Sequence, residues 1–334
     1  MKKLIAAALC ALLVLSLAAC GAPKQEPAAP APANEPASAP EQKVFSIGIC
    51  QLAQHPALDA ATEGFLAALS DRMPEGSFTV DNRNASGDSG TCSTIVNGFV
   101  SSDVDLIMVV ATPALQAAAA ATDSIPILAT AITEYGTALD IDGFSGTVGG
   151  NISGTSDLAP LDEQAAMVKE WFPDAKTVGL LFCSAEANSR YQVDVVKAEL
   201  EKLGMTATEF AFTDSNDVAS VAQKACDSCD VLYIPTDNTC ASNAETIANV
   251  LIPAGKAAIC GEEALCAGCG IATLSINYGD IGYKTGEMAV NILLNDADIS
   301  KMPIEYSPVI AKKFNKAMCE ALGIEPLEGY AEIF

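Results

Sequence analysis

"KVFSIGICQLAQHPALDAATEGFLAALSDRM" (residues 43–73) and "FPDAKTVGLLFCSAEANSRYQVDVVKAELEKLG" (residues 172–204) are two versions of one unit. Each opens on a short apolar run, passes through a polar turn and continues as a helix. Further apolar runs mark the pattern of strands buried on both faces: 44–50, 106–110, 125–129, 178–182, 231–234, 257–259 and 271–276. Helix-like segments at 57–72, 114–121, 161–171, 191–203 and 217–225 lie between them. Strands alternating with helices predict a parallel sheet wrapped by helices. The alternation restarts after about residue 155, and roughly 290 residues are too many for one typical core. Two α/β lobes follow.

Open parallel sheets bind ligands at the carboxyl ends of their strands. With two facing lobes those ends meet across a cleft, and polar residues concentrate there. Gln51, His55 and Asp59 follow the first strand, and Thr112-Pro113 follow "LIMVV". In the second half come Ser184, Glu186, Asn188 and Ser189, then Thr236-Asp237-Asn238, then Glu262-Glu263. Hydroxyls, amides and carboxylates beside helix N-termini suit a small zwitterion. Each residue alone also reads as a helix cap. The functional case rests on their convergence.

The chain holds 1 histidine, His55. It reads as support for the loop after the first strand or as a wall of the cleft. Catalysis would need a nucleophile with a fitting neighbour, and a single histidine makes a poor metal site.

The N-terminus opens Met1-Lys2-Lys3, runs apolar from 4 to 19 and reaches Leu17-Ala18-Ala19-Cys20. This reads as an export signal (1–19) too short to span a membrane. The cysteine after Leu-Ala-Ala resembles a bacterial lipobox, which implies cleavage before Cys20 and diacylation of its sulfur. Residues 20–43 are rich in Ala, Pro, Glu and Ser and form no core, so they read as a tether. The formal charge of −24 argues against nucleic acid as a partner.

Twelve cysteines are present, ten of them beyond Cys20. Cys226-x-x-Cys229 and Cys266-x-x-Cys269 could build a zinc site, pair as disulfides, or be buried unpaired thiols. The last is the expectation, with no metal and no cofactor.

"IGICQLAQHPALDAATEGF", "VVATPALQAAA", "SGTSDLAP", "YIPTDNT" and "IATLSINYGDIGYKTGEMAVNIL" together resemble the substrate-binding lipoproteins of ABC transporters of the tryptophan/tyrosine-type family. The resemblance runs from 44 to 334. It implies a type I periplasmic-binding fold: two doubly wound parallel-sheet lobes joined by a three-crossing hinge, without catalytic chemistry. It assigns 44–154 plus 278–300 to one lobe and 155–277 plus 301–334 to the other. It further implies an amino-acid ligand, aromatic by preference, and ABC permease and ATPase partners. The protein would be a monomer, lipid-anchored on the extracellular face of the cell membrane.

Position by position, the resemblance carries ligand contact onto Gln51, Thr112, Pro113, Ser156, Asp157, Asn188, Ser189, Asp237 and Asn238. Glu262 and Tyr278 complete the candidate site. On chemical grounds Thr112 and Ser156 hold an α-carboxylate, Asp237 pairs with an α-ammonium and Asn188 assists. Tyr278 walls the ligand side chain or serves as a plain core tyrosine. Cys50, Cys183 and Cys240 depart from the family pattern beside the cleft. A surface enzyme or redox protein is the rival class. It lacks a visible nucleophile–base pair, and Cys226 and Cys229 end a helix rather than start one. A sensor binding the same solute reads identically in sequence.

Overall fold

A computed structural model describes residues 43–307 and 309–333. The signal segment, Cys20 and the tether as far as residue 42 lie outside the described residues.

The first series runs β1 (Phe45–Gln51), α1 (Pro56–Arg72), β2 (Phe78–Asn84), α2 (Ser89–Ser101), β3 (Leu106–Val110), α3 (Thr112–Ala121), β4 (Ile127–Ile132), α4 (Tyr135–Leu139) and β5 (Ile152–Ser156). The second begins α5 (Leu161–Trp171), β6 (Thr177–Cys183), α6 (Ala187–Lys202), β7 (Thr206–Phe212), α7 (Val218–Ser228) and β8 (Val231–Ile234). It continues with α8 (Asn238–Ser242), α9 (Ala244–Ala254), β9 (Ala258–Cys260), α10 (Glu263–Cys269) and β10 (Ala272–Ser275). The tail adds α11 (Tyr278–Asn295), β11 (Glu305–Tyr306), β12 (Ala311–Phe314), α12 (Lys316–Leu322) and β13 (Ala331–Glu332).

Two sheets result, ordered β2-β1-β3-β4-β5-β11 and β7-β6-β8-β9-β10-β12-β13. All pairings are parallel except β10 with β12. The first five strands of each sheet follow the same doubly wound order, as two copies of one unit should. Central strands β3, β4 and β8 are buried at every position, which is why they read as unbroken apolar runs. Edge strands β2 and β7 are mostly exposed and correspondingly polar, so no apolar run announces them. Helix α6 starts at Ala187, earlier than the expected 191, which moves Asn188 and Ser189 from a loop into its first turn.

The chain crosses between the sheets three times: from Ser156 to α5, from Ser275 to α11, and from Tyr306 to Ala311. Two expected boundaries shift: Thr155 and Ser156 end β5 within the first sheet rather than opening the second lobe, and the last crossing falls later than 301. Glu305 and Tyr306 pair with Thr155 and Ser156, so the first sheet extends beyond 301 before the chain returns to the second. A ladder partner on the open edge of β5 decides this, and two residues are too few to signal it.

Helix α11 leaves the second sheet and packs against α1 of the first. The fit depends on missing side chains: a Cβ on Gly282 would lie 1.9 Å from the carbonyl oxygen of Ala61. The backbones therefore touch, and α11 is held rigidly in the first lobe although its N-terminus sits at the hinge. The ten cysteines of the described residues are all buried and unpaired.

Candidate ligand-binding cleft

In this strand order the crevice opens where neighbouring connections diverge, beside the carboxyl ends of β1 and β3 in one lobe and β6 and β8 in the other. The backbone is unusual there. Ala111, between β3 and α3, has φ 80 and ψ 156. That region is normally reserved for glycine and costs on the order of 1–3 kcal/mol for alanine. At the end of β4 a register irregularity between Ala129 and Ile132 contains Ala131 at φ 55. Strained or bulged strand ends re-aim the groups that follow them.

Several predicted site residues turn out to build the walls. The Gln51 amide donates to Ala53 O and Asp59 Oδ1, each at 2.7 Å, and accepts from Thr62 Oγ1 at 2.6 Å. It ties β1 to α1. Ser156 donates to Thr133 O at 2.9 Å and accepts from Leu158 N at 3.1 Å, shaping the first crossing. Glu262 caps α10 through the N–H groups of Ala264 and Leu265, and burial pushes its carboxyl up to about 7.

Asp237 differs most from its expected role. It is 1% exposed, with Oδ2 accepting from Cys183 N and Oδ1 from Cys240 N, both at 2.7 Å. One carboxylate thus caps α8 and pins the end of β6 to the end of β8. Burial, with Glu186 nearby, raises its pKa. The cap on Cys240 N is the helix-cap reading that sequence offers; the second donor, Cys183 N, is not legible there because it is remote in the chain.

Asp157, at the first crossing, and Tyr278, at the second, meet: the tyrosine hydroxyl donates to Asp157 Oδ2 at 2.8 Å. The Thr236 side chain lies beside the same hydroxyl. Burial raises the Asp157 pKa although the Thr133 side chain lies close by, and its buried Oδ1 makes no hydrogen bond of normal geometry. Asn188, in the first turn of α6, donates through Nδ2 to Thr236 O at 3.0 Å and approaches Ser189 Oγ at 3.3 Å. Its Oδ1 is likewise buried and unpartnered. Thr112 and Pro113 are buried at the start of α3.

Glu186 is the hub of the second lobe's rim. It accepts from Asn238 N at 3.1 Å, Asn238 Nδ2 at 2.6 Å, Thr239 N at 2.9 Å and Thr239 Oγ1 at 2.8 Å. From the first lobe His55 reaches Asn238, with Nε2 to Oδ1 3.3 Å. Beside this contact a cavity of about 480 Å³ opens between the lobes, lined by Leu52, Pro113, Cys183, Glu186, Asn238 and Ser215 among others. No lysine or arginine lines it. Of the three cleft cysteines Cys183 reaches this cavity, whereas Cys50 and Cys240 are fully buried. Among the described residues no cluster of three or more His, Cys, Asp or Glu side chains could hold a metal.

The family model for ABC transporter substrate binding proteins matches residues 46–329. A tyrosine-binding protein from Clostridioides difficile is 34% identical over 88% of this chain and 85% of the relative. An ABC domain from Streptococcus pneumonia in complex with L-Trp superposes with TM-score 0.83 at 30% identity, over 87% of this chain and all of the other. A ligand-free, open substrate binding protein with adhesive properties from Clostridium difficile is 36% identical over 87% of this chain and 99% of the other. Its TM-score, however, is 0.66. The chain thus superposes better on the L-Trp complex than on the ligand-free, open protein.

Proposed function

The chain belongs to the family of ABC transporter substrate-binding proteins, and from that premise we propose that it captures an aromatic amino acid between its lobes and delivers it to a permease–ATPase pair. One observation carries this reading. Asp157 Oδ1 and Asn188 Oδ1 are buried acceptors without donors, one from each side of the cleft. Buried polar atoms are almost always hydrogen-bonded, and an α-ammonium supplies up to three donors and the matching charge.

In this reading Asp157, not Asp237, receives the ammonium, and Asn188 assists it. The N-terminal turn of α3, with Thr112, receives the α-carboxylate, which suits a cleft mouth without basic side chains. Tyr278 holds Asp157 in place and flanks the ligand. Gln51, Ser156, Ser189, Asp237 and Glu262 shape the loops behind. The aromatic preference is supported by the tyrosine-binding and L-Trp-bound relatives. Closure buries the ligand, and the closed form is the one a permease distinguishes.

The protein acts as a monomer on the extracellular face, held by a diacylated Cys20 through the 20–43 tether. Among the described residues no helix is long and apolar enough to cross a membrane. Cys20→Ser should release an otherwise folded, exported protein from the membrane fraction; its retention would refute the anchor. For the ligand, thermal-shift and calorimetric titration of the body from Gln42 onward should show binding of L-tyrosine or L-tryptophan. Binding of a sugar or an acidic amino acid in their place would refute the reading.

A further inference from the structure

His55 precedes α1 in an extended conformation, and its side chain does not cap the helix. It is 6% exposed, and Asn238 of the other lobe lies against it. Asn238 is the residue it meets, and the orientation of that amide follows from its second partner. Asn238 Nδ2 points at Glu186 Oε2, an acceptor only, so Oδ1 faces His55. An oxygen there requires a donor, which fixes the Nε2–H tautomer. Nδ1 is then a bare acceptor, buried and without a partner.

We propose that His55 is an interlobe latch: its Nε2–H, donated to Asn238 Oδ1 across the mouth of the cleft, holds the lobes closed over the ligand. The latch responds to acid. Protonation adds an N–H at Nδ1, where the closed structure offers no acceptor, and puts a charge where water is excluded. Burial accordingly lowers the His55 pKa in the closed form. The Asn238 hydrogen bond itself and the charged groups facing His55, Glu186 before α6 and Asp59 on α1, all act in the opposite sense without overcoming burial. In an open form the imidazole meets water and titrates ordinarily. The closed form then binds fewer protons at His55, so acid favours opening. With an ordinary pKa of about 6.5, closing weakens by up to about tenfold at pH about 5.5 relative to neutral or above. The buried carboxyls of Asp157, Asp237 and Glu262 have raised pKa values and respond in the opposite direction, so the latch shows in a comparison of variants.

The affinity arm of the test rests on the aromatic amino-acid reading; the spectroscopic arm does not. Because the chain holds 1 histidine, its imidazole NMR signal identifies itself. In the body from Gln42 onward, a compact unit by itself, His55 should titrate lower when loaded with L-tyrosine than when free. L-tyrosine affinity should fall toward acid by up to about tenfold more in the wild type than in His55→Gln, which keeps a donor but does not titrate. His55→Ala should bind weakly at both pH values. Equal pH dependence in wild type and His55→Gln, or one titration curve for free and loaded protein, would overturn the latch. If neither L-tyrosine nor L-tryptophan binds, the proposed function fails and the free protein decides. A radius of gyration from small-angle scattering that is smaller in wild type than in Asn238→Ala supports the latch, and equal values overturn it.

Discussion

Replacing Asp157 by asparagine separates charge from shape at the first crossing between the sheets, where we place the ligand's ammonium. The amide oxygen can still accept the Tyr278 hydroxyl that Asp157 Oδ2 accepts at 2.8 Å. An NH₂ group then stands where the unpartnered Oδ1 stood, a donor facing the ammonium's own donors. The loss is one charge-assisted hydrogen bond, about 1.5–3 kcal/mol. That corresponds to a Kd weaker by about 10- to 150-fold. The free protein should not suffer. Burial raises the Asp157 pKa, so the ionised carboxylate is disfavoured in the fold, and a neutral amide relieves that cost near neutral pH. Calorimetry with L-tyrosine and the melting temperature of the free protein measure the two effects separately. An asparagine variant that binds as tightly as wild type would refute the assignment, and one that unfolds would show that Asp157 is structural.

Asp237→Ala should do the reverse and destabilise the free protein. It strands the N–H groups of Cys183 and Cys240, at about 1–3 kcal/mol each, and the denaturant midpoint should fall accordingly; full stability with lost binding would restore the ammonium role. Gly282→Leu should overpack the α1–α11 contact by at least about 1–3 kcal/mol, and an unchanged melting temperature would mean the helices can separate freely. Glu262, raised to about 7 by burial, retains a proton in the fold that the unfolded chain releases near pH about 4.3. Its contribution to stability is therefore greatest in acid and declines up to about 7, so Glu262→Gln should flatten the pH profile of unfolding across that window. A slope unchanged in the variant would assign it to another group.

Much of the fold is legible because central parallel strands are enclosed on both faces. "LIMVV" and "VLYI" have no polar alternative, whereas β2 and β7 face solvent and carry polar residues that no hydrophobic pattern distinguishes from a loop. The location of the cleft is legible for the same reason, since parallel strand order obliges the loops after β1, β3, β6 and β8 to share one end.

The division of labour among the polar residues of those loops is a different matter. Asp157 and Asp237 both follow a strand and precede a helix, and sequence treats them alike. Backbone donors from Cys183 and Cys240 converge on Asp237, while Asp157 meets a tyrosine hydroxyl and keeps one oxygen free. The His55–Asn238 contact joins residues 183 apart in sequence and exists when two lobes face each other. The sequence by itself thus determined the repeated α/β units, the cleft between them and the polar residues available to it, because burial and strand order are local or periodic constraints. Which of those residues are spent on holding the walls and which keep an unpaired polar atom was decided by tertiary structure, because a hydrogen-bonding group is used up by whichever distant backbone the fold brings against it.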